Sequence, residues 1–177
     1  KHPVKATDIP DQIINEDFLS YNITTRLDTI FTDPNNDVLT FQLVSSSKNW
    51  GNVTVNSATK TLNYATIADS NGMDTLIVSA ADADTTIFDT LVVNVQSVND
   101  APSAVTSSSV LKVLEESSID TLIIASTNVG PADEQGQKII DYKVTSVQKS
   151  ALFSSQPSLS TTGKLSFTLA NDVVDSS

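Results

Sequence analysis

Carboxylate and amide oxygens recur in short, turn-like stretches of this chain: Glu16 and Asp17 in "NED", Asp33, Asn35 and Asp37 in "FTDPNND", and Asp69 in "IAD". Asp82 and Asp84 follow in "AADAD", and Asn99 with Asp100 in "SVNDAP". Donors of these types suit a hard cation such as calcium, which takes about six to eight oxygens. The alternative for any one stretch is a solvated turn, because Asp and Asn hydrogen-bond their own backbone. Whether folding brings the stretches together decides between the two.

Other chemistries have little to build on. His2 is the one histidine and cysteine is absent, so a serine triad, a zinc centre and a thiolate all lack side chains. Asp33, Asn35 and Asp37 have the opening spacing of an EF-hand loop, but Val38 stands where that loop needs Gly and Val44 where it needs Glu. Paired carboxylates could cleave a glycoside, yet that needs a cleft with aromatic platforms, and aromatic residues are 6% of the chain. The expectation is a protein that is not an enzyme.

Ten basic residues against 21 acidic ones give a formal charge of −11, which repels phosphate backbones and anionic lipid alike. No nucleic-acid partner is expected. No run approaches the roughly 18 apolar residues of a membrane span, so no membrane insertion is expected either. The chain opens without Met, which reads as a mature or excised part of a longer exported protein.

The elements that must position the acidic stretches are strands. Apolar residues alternate in short runs separated by turn signals every roughly 8 to 12 residues, the pattern of a sandwich. Seven strands are predicted before "SVNDAP": A over Ile9 to Ile14; B with Leu19, Tyr21, Ile23 and Leu27; C with Leu39, Phe41 and Leu43; D with Val53 and Val55. Strand E carries Leu62 and Tyr64, F carries Leu76, Val78 and Ala80, and G carries Leu91, Val93 and Val95.

The pattern then starts again at an offset of about 100 residues. Glu16 and Asp17 are echoed by Glu115 and Glu116, and Leu39, Phe41 and Leu43 by Ile140, Tyr142 and Val144. Leu62, Tyr64 and Asp69 are echoed by Leu165, Phe167 and Asp172. The predicted fold is an all-β tandem of Greek-key sandwiches, residues 1–102 and residues 103–177, the second copy truncated before strands F and G. Either a fragment boundary cuts that copy, or a strand from another chain completes it.

In such a sandwich successive loops alternate between two poles. If strand A runs down, Glu16, Asp17, Asp69, Asn99 and Asp100 belong at the bottom, and Asp33, Asn35, Asp37, Asp82 and Asp84 at the top. Carboxylates gathered at a pole must take up protons or find a cation. These stretches, in this order and at domain-sized spacing, resemble cadherin-like repeats, in particular bacterial and dystroglycan-type cadherin-homologous modules. "SVNDAP" is similar to the linker that closes such a repeat, "TDPNNDVLTF" to the aspartate motif entering strand C, "AADAD" to the acidic F–G turn, and "NED" to the glutamate motif after strand A.

The resemblance implies calcium at the joints between repeats. Its bottom set would be Glu16, Asp69, Asn99 and Asp100, met by Asp133 or Glu134 of the second copy. The top set, Asp33, Asn35, Asp37, Asp82 and Asp84, would face a preceding repeat. The second copy departs from the pattern with "GPADEQGQ", and the acidic motif before strand F is reduced to "IAD". One or two ions, or none, are therefore expected in place of three.

Trp50 has two readings, a platform that stacks on a sugar or a plug at the end of the sandwich. "NIT" from Asn22 and "NVT" from Asn52 fit N-glycosylation acceptors. The functional expectation is a calcium-binding adhesion or spacer module of a larger bacterial protein, extracellular or on the cell surface. Its partners would be neighbouring repeats of the same chain and a surface protein or glycan. The competing readings are a carbohydrate-binding accessory of a polysaccharide-degrading enzyme and a metal-free architectural repeat.

Overall fold

The structure is a computed structural model, and it describes residues 1–24, 26–48, 50–107 and 110–171. The chain divides into two compact units, Lys1–Val98 and Asn99–Ser177. Among the described residues, no helix is long and apolar enough to cross a membrane.

Unit 1 is a β-sandwich. Its strands are β1 (Val4–Lys5), β2 (Gln12–Asn15), β3 (Tyr21–Thr24), β4 (Phe31–Thr32), β5 (Thr40–Ser46), β6 (Gly51–Asn56), β7 (Thr61–Thr66), β8 (Gly72–Ala81) and β9 (Thr86–Gln96). A single helical turn, α1 (Leu27–Ile30), precedes β4. One sheet has the order β2-β9-β8-β5, with β2 parallel to β9; the other has the order β3-β7-β6, and β1 pairs with β4. Alternation delivers the core: Phe41, Leu76, Val78, Ala80, Leu91, Val93 and Val95 from one sheet meet Ile23, Leu62 and Tyr64 from the other. Gly51 is required for the fit, since a Cβ there would collide with the Tyr64 ring.

Strands A and B are the places where the structure differs from the alternation read in the sequence. Pro10 has no N–H to give a ladder, so pairing begins at Gln12, and Ile9 is buried ahead of the strand. Leu19, expected inward, is 93% exposed. Leu27, expected in strand B, lies in α1, where its spacing of three from Ile30 turns both inward within one turn.

Two carboxylates point into this sandwich, in phase with the apolar positions of β8 and β9. Asp74 accepts hydrogen bonds from Ser46 Oγ (2.6 Å), Ser47 Oγ (3.2 Å), the Lys48 N–H (3.0 Å) and the Tyr64 hydroxyl (3.0 Å). Burial alone would raise its pKa, but those donors outweigh it and hold the carboxyl below its ordinary value. Burial, and then the Asp74 charge, push the Tyr64 hydroxyl well above its ordinary pKa. Asp89 accepts from Lys5 Nζ (2.7 Å) and from the Ile9 N–H (2.7 Å), tying the N-terminal segment to β9. Burial opposes ionisation there too, and the Ile9 N–H and Lys5 overcome it.

Unit 2 repeats part of this plan. Its strands are β10 (Ser103–Thr106), β11 (Ser118–Leu122), β12 (Ile124–Asn128), β13 (Phe153–Leu159) and β14 (Lys164–Leu169). The sheet β11-β14-β13 reproduces β3-β7-β6, and the β10-β12 pair reproduces β1-β4. Ile140, Tyr142 and Val144, expected as strand C, lie in an irregular segment. Their counterpart β5 is held by β8, and unit 2 has no equivalent of β8 among the described residues. Asp172 lies outside the described residues.

Candidate metal centre

The top pole of unit 1 gathers three carboxylates. After β4 the chain turns through "DPNND", where Asp33 Oδ1 accepts the N–H groups of Asn35 (2.8 Å) and Asp37 (3.3 Å). Asn36 closes the turn in the left-handed region (φ 61°), which Asn tolerates better than most residues. At the β8–β9 hairpin, Asp82 Oδ1 accepts the N–H groups of Asp84 (2.8 Å) and Thr85 (2.6 Å). Those two backbone donors hold the Asp82 carboxyl below its ordinary pKa.

These turns bring carboxylate oxygens of Asp33, Asp37 and Asp82 within 4.8 Å of one another. Oxygens bound to one calcium at about 2.4 Å are separated by at most about 4.8 Å, so the spacing suits a shared ion. Asp33 Oδ2 is buried and accepts no hydrogen bond, leaving an oxygen available for coordination. Asn35 turns its amide toward Asp37, donating from Nδ2 at 2.5 Å. The Asp84 carboxylate stands outside the three-residue group, and Asp84 takes part through its N–H. Asp33 and Asp37, but not Asp82, also line a cavity of about 330 Å³ with Lys60, whose ammonium lies 5.7 Å from the centre of the Phe41 ring.

The bottom residues of unit 1 also converge. Glu16 is 2% exposed, and its carboxylate accepts the Val98 N–H (2.7 Å) and Asn71 Nδ2 (3.4 Å). Asp17 Oδ1 accepts the Asp69 N–H at 3.2 Å, and both residues take positive φ. The A–B turn, the E–F turn and the end of β9 are thereby tied together around acidic side chains.

Within unit 2, Glu134 is 5% exposed and its Oε1 accepts the Asp100 N–H at 2.8 Å. Its Oε2 is buried with no hydrogen-bond partner and packs against Gly130, where any side chain would collide with it. Asn99 accepts from Gln137 Nε2 through Oδ1 (3.0 Å) and donates from Nδ2 to the Asp100 carbonyl (3.0 Å). Asp133, its neighbour in a 3-10 turn over Ala132–Glu134, is exposed. Of the two acids offered by "PADEQ", Glu134 is therefore the one that faces the linker residues.

Trp50 packs against the unit 1 core, and its indole lies over Gly72, where a Cβ would approach Nε1 to 2.9 Å. That placement matches the plug. Asn22 and Asn52 are exposed on β3 and β6. The buried pair Asp74 and Asp89 was not among the residues expected to matter. The legible signal was an acid in phase with Leu76, Val78 and Ala80, and another in phase with Leu91, Val93 and Val95.

No protein-family model matches the chain. No curated protein matches it. Among solved structures, the chain is similar to human protocadherin-24 EC1-2, with 14% identity, a TM-score of 0.49, and coverage of 96% of this chain and 79% of that one. It is also similar to protocadherin gamma B2 extracellular cadherin domains 1-5, at 13% identity and a TM-score of 0.45, covering 98% of this chain and 33% of that one. A third likeness is to an endo-fucoidan hydrolase of glycoside hydrolase family 107, at 19% identity and a TM-score of 0.42; it covers 55% of this chain and 14% of that one.

Proposed function

We propose that this chain is a non-enzymatic, calcium-binding spacer or adhesion module of a larger bacterial protein that is secreted or displayed at the cell surface. In this reading calcium at the joints between repeats stiffens the array. The observation that carries it is the approach of Asp33, Asp37 and Asp82 within 4.8 Å, with a buried Asp33 oxygen that no hydrogen bond engages. Glu134, whose buried Oε2 is in the same condition, supports a second acidic site in unit 2.

The magnitudes favour a mechanical role over a role in folding. Extracellular modules bind calcium with dissociation constants of about 10⁻⁴ to 10⁻³ M, so at millimolar calcium each ion adds roughly 0.4 to 1.4 kcal/mol. That is small beside the core of unit 1. Calorimetric titration of the wild type beside Asp33→Asn tests the reading: the wild type should give a binding isotherm in the millimolar range, weakened about ten-fold by the substitution. Small-angle scattering with and without a chelator tests the stiffening, and Asp100→Ala should loosen the joint while leaving unit 1 folded. An isotherm without heat, or scattering that chelation leaves unchanged, would oppose these two parts respectively.

A further inference from the structure

The two main sheets of unit 1 end in β2 and β5 and in β3 and β6, whose outer edges pair with no strand among the described residues. Sheet edges in natural proteins commonly carry a bulge, a charge or a proline, which keeps other chains from adding to them. Three of these four do so. β5 breaks register between Leu43 and Ser45, β3 breaks it between Asn22 and Thr24, and β2 is four residues long and follows directly on Pro10 and Asp11. β6 has none of these protections: Gly51–Asn56 pairs with β7 in unbroken register and contains no proline and no charged residue. Its counterpart in unit 2, β13, holds Pro157 and breaks register twice.

The unprotected strand also reads the same in both directions. Asn52-Val53-Thr54-Val55-Asn56 is a palindrome centred on Thr54. Two-fold symmetry sets residue i against j and j against i, so antiparallel pairing of β6 with its own copy about Thr54 matches Asn52 to Asn56, Val53 to Val55 and Thr54 to itself. The faces match as well. Asn52, Thr54 and Asn56 are exposed, while Val53 and Val55 are half-buried against the unit 1 core, and a two-fold axis perpendicular to the sheet keeps each set on its own side. Each Val gains an opposing β-branched neighbour. The nearest charged residues along the chain, Lys48 and Lys60, lie beyond the two ends of the strand, so no charge is stranded between the paired strands.

We infer that unit 1 associates edge to edge with a second copy of itself through β6, joining two three-stranded sheets into one of six strands. The order of side chains selects the occupant. A strand of another protein meets that order only by coincidence, whereas a second copy always does. The association goes beyond calcium binding and does not depend on it. The edge is about 20 Å long and about 10 Å deep, or roughly 400 Å² for both copies together. That is well below a standard interface, and the chain's net charge of −11 adds repulsion between copies, so a weak dimer is expected, with a dissociation constant of about 0.1 to 1 mM.

Sedimentation of the full chain up to about 2 mM should show a concentration-dependent dimer. Thr54→Lys and Thr54→Glu each set like charges opposite one another at the axis and should weaken it about five-fold, while changing the melting of unit 1 little, because the side chain is exposed. Mixed in equal amounts, the two variants should regain about wild-type association, since Lys then faces Glu. The register has its own check, because the chain has no cysteine. Thr54→Cys should oxidise to a disulfide-linked dimer, whereas Asn52→Cys, about 14 Å from its own copy in this register, should not. A monomer at every concentration, a dimer indifferent to both charged substitutions, a mixture no tighter than its components, or Asn52→Cys linking as readily as Thr54→Cys would each overturn the inference.

Discussion

The two units share a strand plan and differ in what it encloses. Unit 1 closes two sheets on a core that includes Phe31, Leu27, Leu62 and Leu76, all with no exposed surface, whereas in unit 2 the buried apolar residue among those described is Phe167. Phe167 meets Phe153 edge-on at 5.4 Å, while Ile140 stands 87% exposed. The same three-stranded sheet is present in both, so the difference lies in the facing sheet. Apolar alternation becomes a core when a second layer covers it.

Core truncation should expose the contrast most strongly. Phe31→Ala is expected to cost about 3 to 5 kcal/mol in urea unfolding of unit 1. Phe167→Ala should cost clearly less, because Phe167 keeps 9% of its surface exposed and no other apolar side chain of unit 2 among the described residues is buried with it. Equal costs would break the comparison. Next in size is Asp74→Ala, which leaves the buried Tyr64 hydroxyl without its acceptor and removes the half-buried and exposed bonds from Ser46 Oγ, Ser47 Oγ and the Lys48 N–H; a loss of about 2 to 3 kcal/mol is expected. Tyr64→Phe removes one donor to the same carboxylate and should cost about 1.5 kcal/mol.

Acid should separate the units as well. The carboxyls of Asp74 and Asp89 lie below their ordinary values in the fold, so the unfolded chain takes up protons first. Their contribution is fully present above the unfolded value of about 3.9 and is lost as pH falls through the lowered folded values. Circular dichroism should therefore show unit 1 losing stability steeply below about pH 4, with a shallower slope in the Asp74→Asn, Asp89→Asn double variant. At the small end, Leu19→Ser should change stability by less than about 0.5 kcal/mol, since the side chain is already in water.

Strands C to G of unit 1 were legible because each alternates with a period of two and each has a partner that fixes its register. Strand B was misread at both ends. Four residues of helix are too short to announce a 3.6 period, and Leu19 looks apolar whether or not anything covers it. Strand C of the second copy failed for a different reason: Ile140, Tyr142 and Val144 carry the right pattern, but a strand exists by pairing, and its neighbour is not among the described residues. The acidic poles were legible from loop alternation alone. Which oxygens converge was not, because Asn35 and Asp84 differ from Asp37 and Asp82 only in how each turn directs its side chain and N–H groups. The inward Asp74 and Asp89 carried a readable phase but no expectation, since a buried carboxylate needs donors that sequence does not locate.

Anomalous diffraction from crystals grown with calcium and then terbium tests the proposed metal centre most directly. A peak coordinated by Asp33 Oδ2 and the carboxylates of Asp37 and Asp82, at about 2.4 Å, is the predicted result. Featureless density at that pole, with the three side chains turned apart in crystals holding either ion at several times its solution affinity, would contradict it.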